Sequence, residues 1–154
     1  AKLAPGTVVK DPVHHTDIFP TIAAATGAQL PTDTKLDGVN LLPHAQGETT
    51  GPLHKALFWR HDHYQAVLSN GWKLQVTERP GKSWLFNLNV DPTEQTNLVT
   101  QHPEKVQALT ALLAQHNGEQ MSARWKPILE VPVNVDKTDD MGWAQGDEFI
   151  YYPN

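Results

Sequence analysis

Apolar residues recur along this chain with two different periods, and the change of period marks out its parts. In DIFPTIAAATG, Ile18, Ile22 and Ala25 fall on one face at helical spacing. Thr16 or Asp17 stands where an N-cap accepts orphan amides, Pro20 comes early enough to be tolerated, and Gly27 is placed to end the helix. The following stretch, AQLPTDTKLDGVNLLPHAQGETTGPLH, is rich in Pro, Gly and Thr and reads as an extended crossover with short helical pieces. It is the expected boundary between two parts, residues 1–54 and 55–154.

Beyond it the period drops to two. In ALFWRHDHYQAVLSNGWKLQVTERPGKSWLFNLNVDP, two strand-forming runs flank Asn70-Gly71, a dipeptide that favours a type I′ hairpin turn. A two-residue turn sets Ser69 opposite Trp72, Val67 opposite Leu74 and Gln65 opposite Val76, which gathers Val67, Trp72, Leu74 and Val76 on one face. ERPGKS makes a second turn, WLFNL supplies another strand, and ALFWR adds a further one if it joins the sheet. HPEKVQALTALLAQHNG returns to helical spacing, with Pro103 at its start, Gly118 expected beyond its end, and Val106, Leu109 and Leu113 as the stripe that covers the sheet. In the tail Val131, Val133 and Val135 alternate, but Pro127 and Pro132 demote it to an edge or extended segment. The expected fold class is α+β: a small antiparallel sheet of three to four strands packed by a C-terminal helix and preceded by a helix and crossover.

Composition narrows the function classes. The chain has 154 residues, 39% of them hydrophobic, enough for one folded domain with a core or two small lobes. Its net charge of −5 and pI near 5.9 leave no basic face for nucleic acid or anionic lipid. No apolar run approaches the roughly 20 residues that span a bilayer. The absence of cysteine removes disulfides, thiolate metal sites and a cysteine nucleophile from this chain. The opening AKLAPGTVV has neither an initiator Met nor a signal-peptide pattern, and reads as the start of a mature chain or a fragment.

Candidate chemistry is sparse. None of Ser69, Ser83 and Ser122 sits in a Gly-x-Ser-x-Gly elbow, so no catalytic residue is assigned. His61-Asp62-His63 beside Arg60 is the strongest cluster. Alternate residues of an extended segment face the same way, so His61 and His63 could approach one ligand together, and the cluster reads as a solvated loop, an anion or substrate contact, or a metal site. Zinc ordinarily takes a third and fourth ligand at recognisable spacing, and with none visible no metal ligand is assigned. His14-His15 and Asp139-Asp140 read as structural, the latter as a turn, and the tryptophans as core or interface. Polar oxygens alternate through Asp91, Thr93, Gln95 and Asn97 as in a calcium loop, yet the sixth and twelfth places hold Thr96 and His102 where an EF-hand needs Gly and Glu. Those oxygens are expected to serve as turn and cap acceptors in a joint leading to the Pro103 helix.

Several stretches in one order resemble the C-terminal portion of the sulfatases, specifically the arylsulfatase-like sulfuric ester hydrolases. They are PGTVV, HHTDIFPTIAAATGAQLP, LDGVNLLPHAQGE, LFWRHDHYQAVLSNGWKLQV, LFNLNVDPTEQTNLV and GDEFIYYPN, and together they span nearly the whole chain. LFNLNVDPTEQTNL matches LYNL-x-x-DP-x-E-x-x-NL, a recurrent phrase of the family's C-terminal subdomain.

The resemblance implies a parent enzyme of alkaline-phosphatase-like fold, whose large N-terminal domain carries a formylglycine made from the Cys or Ser of a C-x-P-S-R type motif, and a bound calcium. No position here matches that equipment. Residues 1–54 then resemble the end of the large α/β domain and its crossover, and residues 55–154 the C-terminal subdomain. Expected partners are the N-terminal catalytic domain and a sulfated small molecule or sugar, with Arg60, His61 and His63 on the substrate side. This chain holds no cofactor in that reading and is inactive alone. The alternative is a stand-alone binding or interaction module with the same fold. An apolar patch at Ile18, Phe19 and Ile22 is expected to be exposed, with self-association as a consequence. Family habit points to a periplasmic or secreted protein.

Overall fold

The computed structural model describes residues 3–122, 124–135, 137–138 and 140–153. The chain divides into two compact units, Ala1–Lys55 and Ala56–Asn154. Among the described residues no helix is long and apolar enough to cross a membrane.

In the first unit a single 3-10 turn, His15–Asp17, leads into α1, Ile18–Thr26, which ends at Gly27 in the left-handed conformation (φ 75°). A one-turn helix, α2 (Leu42–Ala45), interrupts the crossover. Asp17 does not cap α1 with its side chain, as the sequence led us to expect. Its fully buried carboxylate instead accepts the amides of His14 (2.8 Å) and Val39 (2.8 Å) and meets His54 Nε2 at 3.0 Å. Thr21 extends the same link: its hydroxyl donates to Asp17 O and accepts from Leu41 N. Where the crossover passes the 3-10 turn, a Cβ on Gly38 would lie 2.0 Å from Thr16 O, so only glycine allows the approach. Ile18, Phe19 and Ile22 are each more than half exposed, the apolar patch anticipated from sequence.

The second unit is a four-stranded antiparallel meander of β1 (Leu57–His61), β2 (Tyr64–Ser69), β3 (Trp72–Glu78) and β4 (Gly81–Asn87), followed by α3, Pro103–Gly118. Ser69 pairs with Trp72, Val67 with Leu74 and Gln65 with Val76, the register set by the Asn70-Gly71 turn. Both turn residues have positive φ, 50° and 76°, as type I′ demands. Gly118 is the last helical residue of α3 rather than the one beyond it, and Glu119 takes the C-cap position.

Alternation along the strands gives the sheet two dry faces. Val67, Leu74 and Leu85 pack with Leu109 and Leu113 of α3, and Val106 joins them. On the other face Trp84 and Phe86 pack with Ile150. Ile150 belongs to an element the sequence did not reveal. The tail segment forms β5 (Glu130–Asn134), and it pairs with β6 (Phe149–Pro153) in a second, two-stranded sheet. The expected edge segment is therefore one arm of a hairpin lying over the face opposite α3. The class is α+β. Trp84 is buried, whereas Trp125 and Trp143 are exposed. Asp140 lies in a turn, accepting from Thr138 Oγ1, and Asp139 lies outside the described residues.

Residues 91–99 form the joint between β4 and α3. Asp91 accepts the amides of Gln95 (3.0 Å) and Thr96 (2.8 Å). Asn97 reaches β4: its Oδ1 accepts Leu85 N (3.0 Å) and Val99 N (3.1 Å), and its Nδ2 donates to Ser83 O (3.3 Å). Leu98 N then donates to Leu85 O at 2.8 Å. Of the alternating oxygens, those of Asp91 and Asn97 thus serve backbone amides, whereas the Gln95 side chain donates through Nε2 to Thr93 O at 2.8 Å.

Two outcomes follow. Asn97→Ala leaves the Leu85 amide without its acceptor inside the unit, and should lower stability by about 2 kcal/mol in urea unfolding followed by tryptophan fluorescence. All five tryptophans lie in the second unit, so the signal reports on it alone. For Asp17, burial acts to raise the carboxyl pKa, but the His14 and Val39 amides and the His54 imidazole outweigh it and hold the pKa below the ordinary 3.8. The stability it contributes is therefore complete above pH 3.8 and is lost as pH falls through the depressed value. The His14 and Val39 amide NMR resonances should move together only below that pH, and should show no such step in Asp17→Asn.

Candidate substrate-side site

His61 pairs with Tyr64, so Asp62 and His63 are the two residues of the β1–β2 turn. Asp62 takes φ 51°, in the left-handed region that a short polar side chain tolerates. That reversal breaks the alternation on which the shared-ligand expectation for His61 and His63 rested. The His61 ring stacks on Tyr152 of β6, centroids 5.0 Å apart. His63 is buried instead, its Nδ1 2.8 Å from Thr77 Oγ1 of β3 and its Nε2 3.8 Å from Glu130 Oε1 of β5. Arg60 donates through Nη2 to Met121 O at 2.6 Å. The three residues thus have three different sets of partners, and only Arg60 and His61 remain exposed.

Arg79, the first of the two residues of the β3–β4 turn, completes the surroundings of His63. Its Nη2 lies 2.6 Å from Glu130 Oε1 and 3.5 Å from Asp62 Oδ2. Two carboxylates against one guanidinium make this an environment for a cation rather than for an anionic group. Glu130 stands 67 positions beyond His63, so no local spacing rule could have connected them. Arg79, Glu130, Pro80, Phe149 and Tyr151 also line an open groove of about 420 Å³.

A second groove, about 380 Å³, lies between the joint and the tail, with Tyr64, Lys73, Glu94 and Lys137 in its wall. Glu94, at φ 61°, binds Lys73 Nζ and Gln75 Nε2, both at 2.6 Å, and Tyr64 Oη donates to Gln75 Oε1. Burial first, then the Glu94 and Tyr152 charges, push the Tyr64 hydroxyl well above its usual range, so it stays a neutral donor. Lys137 is paired with Asp147 at 2.6 Å. Both lysines of this wall are therefore committed to carboxylates.

No family model matches the chain. Steryl-sulfatase from Rattus norvegicus is 31% identical over 100 residues, 65% of this chain and 17% of that protein. Steryl-sulfatase from Mus musculus is 29% identical over an alignment of 196 positions covering 94% of this chain and 31% of that protein. The chain belongs to the sulfatase family. A solved structure described as a putative sulfatase from Bacteroides thetaiotaomicron has the same fold over 67% of this chain and 24% of its own, with a TM-score of 0.57 at 20% identity.

The sulfatase chain described here thus spans less than a third of the length of these curated relatives. The family's formylglycine has no precursor in it, because there is no cysteine and no serine in the required motif. Calcium does not fit it either. The one grouping of three ligating side chains among the described residues, Asp62, His63 and Glu130, includes an imidazole and offers few oxygens, whereas calcium takes six to eight.

Proposed function

We propose that this chain is the C-terminal part of an enzyme that hydrolyses sulfate esters, that it helps to shape the substrate pocket, and that it is catalytically incomplete alone. The observation that carries the reading is the sulfatase relationship of a chain with no residue able to become the formylglycine. The relatives extend far beyond the matched region, which supports an N-terminal catalytic domain as the partner that supplies formylglycine and calcium. The exposed Ile18, Phe19 and Ile22 on α1 are the apolar surface such a domain would cover.

Within this reading Arg60 and His61 face the sulfated small molecule or sugar. Arg60 has guanidinium donors to spare beyond the one given to Met121 O, and the His61 ring is held flat against Tyr152. His63 acts through the turn, because its side chain is only 3% exposed and held on Thr77. Export to the periplasm or outside the cell accords with the same reading.

The test has two arms. The isolated chain, supplied with calcium and an aryl sulfate, should show no turnover; reproducible hydrolysis by pure material would refute catalytic incompleteness. In the longer protein, Arg60→Ala and His61→Ala should each raise KM about 10- to 100-fold with kcat little changed, the size of one lost charge-assisted contact. Melting temperatures that fall while KM stays constant would remove both residues from the substrate side.

A further inference from the structure

His63 presents an unusual arrangement for a structural histidine. The residue is more than nine-tenths buried, and its Nε2 has no hydrogen-bond partner although it points toward Glu130 Oε1, 3.8 Å away. Its other ring nitrogen is held. Thr77 Oγ1 lies 2.8 Å from Nδ1 and also accepts the Arg79 amide at 3.2 Å. When Nδ1–H donates to Thr77, Nε2 carries a lone pair aimed at the carboxylates. An outer hydrogen bond that fixes the ring and its tautomer in this way is the usual support of a metal-binding imidazole.

One ligand atom each from Asp62, His63 and Glu130 lies within 4.8 Å of the others. Bonds of about 2.1 Å around a tetrahedral zinc ion put ligand atoms roughly 3.4 Å apart, so the His63–Glu130 separation needs to close only slightly. The positive charge among these groups at present is the Arg79 guanidinium, bound to Glu130 and near Asp62. That side chain is 52% exposed and has room to swing outward.

We propose that Asp62, His63 and Glu130 form a site for a divalent transition cation of the zinc type, for which Arg79 is the resident competitor. One nitrogen and two carboxylate oxygens suit zinc and leave a fourth position for water. Asp62 and His63 lie in the β1–β2 turn and Glu130 in β5, so the ion would staple the two-stranded sheet to the larger one. Sequence spacing hid the site because its third ligand comes from the far end of the unit.

The 154-residue chain, freed of metal with a chelator, is titrated with zinc chloride at pH 7.5 by calorimetry. The wild-type chain should bind one equivalent saturably, and its melting temperature should rise with zinc concentration. His63→Gln and Glu130→Gln should each weaken binding at least tenfold, His61→Ala should leave it unchanged, and Arg79→Gln should tighten it threefold or more. Nitrogen NMR should show zinc perturbing His63 Nε2 while Nδ1 keeps its proton. If His63→Gln fails to fold, Glu130→Gln and Arg79→Gln, both at partly exposed positions, decide the matter. Binding of equal strength in Glu130→Gln and wild type, or no saturable binding in either wild type or Arg79→Gln, overturns the proposal.

Discussion

The outer edge of β4 is the constraint on which the second unit depends. A strand at the end of a sheet leaves every other amide and carbonyl without a strand partner, and here Ser83 O, Leu85 N and Leu85 O are closed by the chain itself. Asn97 accepts Leu85 N and donates to Ser83 O, and Leu98 N donates to Leu85 O, so the joint lies along β4 almost as a further strand would. The same contact fixes where α3 begins. Leu98 and Val99 are drawn into the apolar cluster of Val67, Leu74 and Leu85, and the helix that starts four residues later lays Leu109 and Leu113 on it.

With α3 committed to one face, the alternation of β4 decides the other. Trp84 and Phe86 necessarily point away from α3, and surfaces of that size need a cover. The β5–β6 hairpin supplies it through Ile150. Lys82 and Trp84 Nε1 both donate to Glu148, just before β6, which ties the hairpin to the sheet with polar contacts as well. Covering that face also creates the surroundings of the β1–β2 turn. Glu130 arrives beside His63, and Tyr152 arrives against His61, only because the hairpin lies there. Fold and candidate site are in this sense one consequence of a sheet buried on both sides.

What was legible in the sequence was local. Asn70-Gly71 specifies its turn chemically, and a two-residue turn determines the pairing of Val67 with Leu74 without knowledge of anything else. The stripe of Val106, Leu109 and Leu113 and the joint's acceptors are likewise readable within a few turns of chain. What stayed hidden depends on contacts between distant positions. FIYYP has the residues of a strand, but nothing nearby says that its partner is EVPVN, with its proline at Pro132. Asp17 stands where a helix cap belongs, and its carboxylate serves Val39 and His54 instead. The positive φ at Asp62 sent His63 inward, because a two-residue turn cannot preserve the alternation of an extended strand.

Asn97 and Leu98 close the β4 edge as firmly as a strand would. Native-state hydrogen exchange at the Leu85 amide tests this closure most directly, since that amide points out of the four-stranded sheet to a side-chain oxygen. Leu85 is expected to exchange only with global unfolding of the second unit, at the same free energy as the Leu74 amide in the sheet interior. Exchange of Leu85 at the rate of an exposed loop amide, with Leu74 still protected, would contradict it.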